Sequence, residues 1–463
     1  MANPNQIARH RDLANGSPQS KAGALKQVLW SKIALFVAVT TCFPVGANAW
    51  TNGELSIWMD GDRGRALEPI LKKYTDDSGI KVKIESPEKL TESFGMAAQV
   101  SKGPDIVVWA HDKLGEWADG GLIAPVELGQ DFLDKFLPKA WEAVAHQERV
   151  WGYPIAVETV SLIYNKKLLD GTPPTDLSQL SAINETVKKE HPGVSAILWD
   201  YKSPYYSWGI LASGGGYVFG WDGKNFNVKE TGLGVPGAVQ GLAEIIGLVH
   251  AGVLPKSVSY SAVEDQMAQG KLAMIISGPW AWSNLIKSGI GFGVAPMPGV
   301  NGNLGRPFVG VSVGYINRSS PNQDLAKEFI ERYLLTDEGL SALDHGKPIG
   351  LPALNSLRER MVHENPLLEE LQVCVDHGDV MPNIPQMGRF FTVMGAALQT
   401  ATDGQATAEA ALREADVNMR HPRADQASVP SPKSLGLRYV QNGPPVRPWP
   451  DAGVWTFSPR NQC

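Results

Sequence analysis

Leu55-Ser56-Ile57-Trp58-Met59 is an apolar run of strand length. Ala66–Tyr74 follows with helical spacing and runs to Gly79, a residue type that commonly ends helices. Ile80-Lys81-Val82-Lys83-Ile84 alternates with period two, as a half-buried strand does. Lys89–Val100 reads as a helix, and Asp105–Trp109 as a buried strand opened by Gly103-Pro104. Lys113–Asp119 begins another helix. This strand–helix alternation predicts a parallel sheet covered by helices on both faces.

The middle of the chain repeats the theme. Ser195–Trp199 and Leu272–Ile276 read as strands, and Pro236–His250, Ala262–Gln269 and Ala281–Lys287 as helices. Tyr153–Tyr164 and Phe308–Ile316 are long extended runs without an obvious adjacent helix, each long enough to pass from one globule to another. The pattern therefore predicts two α/β lobes joined by crossover strands. The expected division places 50–158 and 314–362 in an N-terminal lobe, and 159–313 and 363–420 in a C-terminal lobe. The end of the fold reads as helical, over Leu325–Leu335, Leu351–His363, Leu367–Val375, Met387–Ala401 and Ala406–Met419. Residues 421–463 are expected to form a poorly ordered tail or an interaction segment, because 422–463 hold eight Pro and only two acids. Trp449, Trp455 and Phe457 in it have no assigned partner.

The N-terminus reads as an address. Arg9, Arg11, Lys21, Lys26 and Lys32 make a basic leader, Ile33–Val45 an apolar core, and Ala47-Asn48-Ala49 a cleavage site. Residues 1–49 are therefore expected to be a signal peptide. The alternative of a membrane anchor fits Pro44 and the small residues less well. Removing the leader takes five bases and one acid, so the net charge of −6 becomes −10 in the mature chain. Such a balance excludes a nucleic-acid protein that relies on a basic surface. Three cysteines exclude a disulfide-dense scaffold and any Cys-rich zinc module. Cys42 leaves with the leader, and Cys374 and Cys463 remain, paired or free. An acidic exported chain with no second hydrophobic run points to the periplasm.

No phosphate loop, nucleophile elbow or metal-ligand spacing is present, so no cofactor and no metal are expected. What recurs is an acid or a large ring where a strand ends: Asp60-Gly61-Asp62-Arg63, Trp109-Ala110-His111-Asp112, Glu158 after Pro154-Ile155-Ala156-Val157, Pro204-Tyr205-Tyr206-Ser207-Trp208, and Gly278-Pro279-Trp280-Ala281-Trp282. In open α/β sheets ligands bind beyond the carboxyl ends of strands. Carboxylates accept hydrogen bonds from sugar hydroxyls, and a ring face covers the apolar C–H face of a pyranose. The mixture suits a neutral sugar. Glu158, in an apolar context, is the sharpest candidate, because a buried carboxylate needs partners. Asp62 alternatively caps the helix that follows it. Trp58 and Trp199 fit the core better than a ligand, and Trp208 and Trp282 suit either role.

From about Asn52 to about Met419 the chain resembles the maltose/maltodextrin-binding proteins of bacterial ABC importers. The matching blocks include Trp109–Asp112, Tyr153–Glu158, Ser161–Asn165, Gly278–Asn284, Pro307–Val311, Tyr333–Leu340 and Met381–Met387. The resemblance implies the two-lobed periplasmic-binding-protein fold (type II), closing on its sugar like a hinge. It puts polar ligand contacts on Asp62, Arg63, Asp112, Lys113 and Glu158, and stacking or apolar contacts on Trp109, Tyr205, Trp280 and Phe391. Asp60, Lys89, Pro204, Tyr206, Tyr260 and Met381 match further cleft positions. Several positions depart from the family pattern. Ser203 and Thr91 stand where a Glu is common, Phe391 where a Trp is, and Gly395 where an Arg is. Arg63 and Lys113 exchange Lys and Arg between two cleft positions. The resemblance further implies a monomeric, non-enzymatic binder of maltose or maltodextrin. Trehalose and other oligosaccharides are its alternatives. Its partners would be an inner-membrane ABC permease complex and, for signalling, a chemoreceptor. A glycoside hydrolase using Asp112 and Glu158 is the rival from another class.

Overall fold

The computed structural model describes residues 50–421 apart from 52, 223 and 224. The expected signal peptide, the Pro-rich tail, Cys42 and Cys463 lie outside the described residues. Eleven strands build the two principal sheets. They are β1 (Glu54–Trp58), β2 (Lys81–Glu85), β3 (Ile106–Ala110), β4 (Tyr153–Thr159), β5 (Ser161–Asn165), β6 (Ser195–Leu198), β7 (Leu272–Ser277), β8 (Phe292–Ala295), β9 (Phe308–Ile316), β10 (Leu351–Pro352) and β11 (Asp379–Val380).

The larger sheet has seven strands in the order β10-β4-β9-β3-β1-β2, with β11 beside the start of β9. β1 lies parallel to β2 and β3, as the alternation of elements predicts, whereas β9 runs antiparallel to β3 and β4. The smaller sheet has four strands in the order β8-β5-β7-β6, with β7 parallel to β6 and antiparallel to β5. Both sheets are thus mixed. The fold is the two-sheet α/β architecture of two-lobed binding proteins. Two extended passages connect the sheets: Val160 alone separates β4 from β5, and the chain leaves β8 at Ala295 to enter β9 at Phe308. Helix Pro366–His377 packs against both β4 and β8, so it touches a strand of each sheet.

Most elements follow the apolar pattern within one or two residues, and Gly79 ends helix Glu68–Ser78 at φ 74°. The expected helix over 351–363 is corrected. Leu351–Pro352 pairs with Val157 and Ala156 of β4, and the helix begins only at Asn355. Pro352 disfavours helical backbone at the residue before it, and Gly350 turns the chain at φ 85°. Helix Pro204–Ser213 is not legible from periodicity because it is apolar on nearly all sides, with eight of its ten residues buried. Helices Leu180–Glu190 and Asp337–Gly346 were also not expected. The latter is started by Thr336, whose hydroxyl accepts from Gly339 N.

The large sheet is fastened at the far end from the candidate site by Asp105. Its Oδ2 accepts from Ser56 N at 2.7 Å and Ser56 Oγ at 2.9 Å. Its Oδ1 accepts from Ser320 Oγ at 2.6 Å and Asn322 Nδ2 at 3.1 Å. Four donors make burial of this carboxylate tolerable. Trp199, Trp208 and Trp282 are buried packing residues, and the Trp58 indole donates to Glu85 Oε2 at 2.8 Å.

Candidate ligand-binding site

The first part of the site forms where β1 gives way to helix Gly61–Ala66. Asp60, not Asp62, is the cap: its Oδ1 accepts from Asp62 N at 3.0 Å and Arg63 N at 3.1 Å. Asp62 is exposed and pairs with Arg65. Burial works to raise the Asp60 carboxyl, but the bond from Arg63 N and the charges of Lys347 and Arg63 outweigh it and hold the group low. Lys347 Nζ lies 3.5 Å from Asp60 Oδ2. Arg63 is held by the same loop, donating from Nε to Lys347 O at 3.3 Å and from Nη2 to Pro348 O at 2.9 Å. So fixed, its Nη2 stands 3.9 Å from Glu158 Oε2.

Glu158 sits near the end of β4, opposite Gly310 of β9. Burial pushes its carboxyl up, while Arg63 and Lys347 pull it back. Gly350 makes the close approach possible: a Cβ there would lie 2.6 Å from Val157 O and 3.3 Å from Glu158 Cβ.

The second part follows β3. Trp109 is aligned with Val313 of β9 and is 40% exposed, high for an indole. Asp112 lies three residues on, its Oδ1 buried without a hydrogen-bond partner among the described residues. Burial drives this carboxyl from its ordinary 3.8 to about 6, with Lys113 opposing. Lys113 Nζ pairs with Glu116 Oε2 at 3.0 Å. His111 is fully buried between them.

The third part is aromatic and comes from the smaller-sheet side. Pro204 opens the helix that carries Tyr205 and Tyr206. The Tyr205 hydroxyl is 3.6 Å from where a Gly310 Cβ would stand. Burial raises its phenol, and the negative charges of Glu158 and Asp112 push the same way. Ring centroids of Tyr205 and Trp280 are 6.1 Å apart, and Tyr205 and Tyr206 meet edge to face at 5.5 Å. Tyr260 stacks on Tyr206 at 5.5 Å and donates its hydroxyl to Glu264. Phe391 packs edge-on to Phe308 at 6.3 Å. Met381 is buried, its N–H bonded to Val309 O at 3.1 Å.

The fold thus links Asp60, Arg63 and Glu158 through Lys347 and their mutual charges, and Tyr205, Tyr206, Tyr260 and Trp280 through ring contacts, with Tyr205 feeling the charges of both Glu158 and Asp112. Lys89 and Asp62 are exposed, and their side chains pair with Glu92 at 3.6 Å and with Arg65 rather than with these residues. The arrangement offers acceptors, fixed cations and apolar ring faces, a combination suited to an uncharged polyhydroxyl ligand. Among the described residues, no group of three or more His, Cys, Asp or Glu could hold a metal ion.

Residues 60–340 match the family of bacterial extracellular solute-binding proteins. The chain belongs to that family. It is similar to a maltotriose-binding protein of Pyrococcus abyssi, 28% identical over 73% of this chain and 75% of the relative. A galactooligosaccharide-binding protein of Bacillus subtilis is 27% identical over 78% of this chain and 87% of its own length. A maltooligosaccharide ABC transporter solute-binding lipoprotein of Streptococcus pneumoniae is 26% identical over the same shares.

In this solute-binding protein the pattern of strand ends did not point to Lys347, which touches Asp60 and bears on Glu158, nor to Glu264 beside Tyr260. Lys347 lies in a Gly/Pro-rich loop far along the chain, and only a loop's bias toward functional residues could have flagged it. Glu264 sits within a helix and carries no distinguishing local signal. Among the described residues no helix is long and apolar enough to cross a membrane.

Proposed function

We propose that this extracellular solute-binding protein captures maltodextrins, from maltose upward, and delivers them to an inner-membrane ABC permease complex from the periplasm. The observation that carries this reading is Asp112 Oδ1, a buried acceptor without a hydrogen-bond partner among the described residues, beside a Tyr205–Trp280 ring pair and a Glu158 steadied by Arg63. A sugar hydroxyl supplies the missing donor, and its C–H faces lie against the rings. The names of the maltotriose- and maltooligosaccharide-binding relatives support the same class. Residues 1–49 act as the signal peptide.

In this reading two lobes, 50–158 with 314–362 and 159–313 with 363–420, close on the sugar. The ligand stabilises the closed form only through contacts that improve on closure. Hydrogen bonds to charged partners contribute about 1.5–3 kcal/mol each. After the cost of association, several of them with ring burial leave about 8 kcal/mol, a micromolar affinity. In this reading the protein is a monomer and performs no hydrolysis, the latter supported by the solute-binding names of its relatives. A chemoreceptor is a second possible reader of the closed form.

The test is calorimetry with tryptophan fluorescence on the chain starting at Trp50, against maltose, maltotriose, trehalose, sucrose and a galactooligosaccharide. Saturable binding of maltose or maltotriose is expected. Binding of the galactooligosaccharide alone replaces the sugar class, and glucose release from maltotriose overturns the non-enzymatic reading.

A further inference from the structure

His111 is completely buried between two candidate ligand residues, Trp109 and Asp112, yet faces away from solvent altogether. Its Nδ1 accepts from Val311 N at 3.0 Å, which leaves Nε2 to donate to Met381 O at 2.7 Å. A backbone N–H facing Nδ1 excludes a proton there, so this geometry demands the neutral tautomer protonated at Nε2. Burial holds the imidazole down to about 4, which keeps it uncharged near neutrality. One ring thereby ties three chain segments: the end of β3, the middle of β9, and the stretch just beyond β11.

That last stretch is anchored at several points. Met381 N donates to Val309 O at 3.1 Å. Asn383 Nδ2 donates to Ala143 O at 2.9 Å and Ala145 O at 2.7 Å. The stretch also continues helix Pro366–His377, the element packed against a strand of each sheet.

We infer that His111 is a positioning residue for ligand capture, setting the Trp109–Asp112 stretch at the end of β3 against the segment just beyond β11. The inference rests on the oligosaccharide-binding reading above. An apolar ring in its place would keep the volume but leave Val311 N–H and Met381 C=O buried without partners, and those groups would have to move to find new ones. Trp109 and Asp112 would shift with them. His111 itself touches no ligand.

The experiment measures maltotriose affinity by calorimetry and thermal midpoints for the whole mature protein as wild type, H111F, H111Q and D105N. H111F removes both bonds. H111Q restores a donor near the position of Nε2 and no acceptor for Val311 N. D105N loosens the buried network at the opposite end of β3 and serves as a control for general destabilisation. Expected are a loss of about tenfold in affinity for H111F, the worth of one net hydrogen bond, and partial recovery in H111Q. D105N should lower the midpoint and leave affinity unchanged. Affinity of H111F within about twofold of wild type overturns the inference, and H111Q decides in the same way if H111F does not fold. D105N losing as much affinity at an equal midpoint also overturns it, because the effect would then be global. A wild-type protein that binds no sugar overturns the underlying functional reading instead.

Discussion

At the scale of single residues, Asp112 carries the sharpest consequence. Its carboxyl is raised to about 6 by burial, so between about 4 and 6 the folded chain holds a proton that the unfolded chain releases. The group therefore subtracts stability as pH rises through that window, and the subtraction is complete above it. Asp112→Asn should stabilise the ligand-free protein at pH 7 by on the order of 2 kcal/mol and flatten its stability profile between pH 4 and 6. The same change should weaken maltotriose binding about tenfold, since an ionised acceptor is lost. Denaturant titration at several pH values and calorimetry at pH 7 check the two halves. Wild-type affinity should fall as pH drops below about 6, opposite in sign to the effect on ligand-free stability.

Glu158 was the most legible residue in the chain, because a carboxylate inside Ile-Ala-Val-Glu-Thr-Val demands partners that local sequence does not supply. The partners were not legible. Arg63 lies 95 positions before it, and Lys347 comes from a loop almost 190 positions after it, by the numbering of the chain. Asp62 illustrates the converse. A cap at either Asp60 or Asp62 satisfies the local pattern, and the choice followed from where β1 delivers the chain.

At the scale of elements, short motifs hold the lining in place. Asp60→Ala removes the cap of helix Gly61–Ala66 and should cost about 1 kcal/mol of stability, read from the denaturation midpoint. Asp60→Asn keeps the cap geometry, loses the Lys347 pair, and should cost a few tenths of that, as exposed ion pairs contribute little. Gly350→Ala is expected to do more harm. It combines φ 85° with a methyl 2.6 Å from Val157 O. Strain of about 1–3 kcal/mol and a displaced Glu158 should appear together as a lower thermal midpoint and weaker sugar binding. Periodicity found most of the amphipathic helices and buried strands but passed over helices Leu180–Glu190 and Asp337–Gly346 and strand Phe292–Ala295. It failed at Leu351–Pro352, where sheet pairing overrides an apolar run, and at Pro204–Ser213, where burial on all sides erases the period.

At the scale of the whole molecule, the binding site and the stability of the fold are coupled by mass action. A sugar present at one hundred times its dissociation constant should add about 2.7 kcal/mol to the unfolding free energy, measured as a rise in thermal midpoint across the sugar panel. Cys374 reports the same event from a distance. It is buried on helix Pro366–His377, and burial pushes its thiol up to about 12, which leaves almost no thiolate to react near neutrality. Labelling of the Cys374 peptide, followed by mass spectrometry, should be slow in the folded protein and slower still with a bound sugar. Rapid labelling of the native protein would show that this helix does not stay packed against the two sheets.

By itself the sequence determined the class of the chain: alternating strands and helices, extended passages between two bodies, and acids and rings collected at strand ends. Those features are local, since periodicity and turn chemistry act over a few residues. Tertiary structure alone decided which carboxylate meets which cation, which buried acceptor is left without a partner among the described residues, and which imidazole ties the segments together. The ion pairs and imidazole bonds among them join positions 95 to 287 residues apart along the chain, too far for any spacing rule to encode, and are set only by how the two sheets and their helices pack.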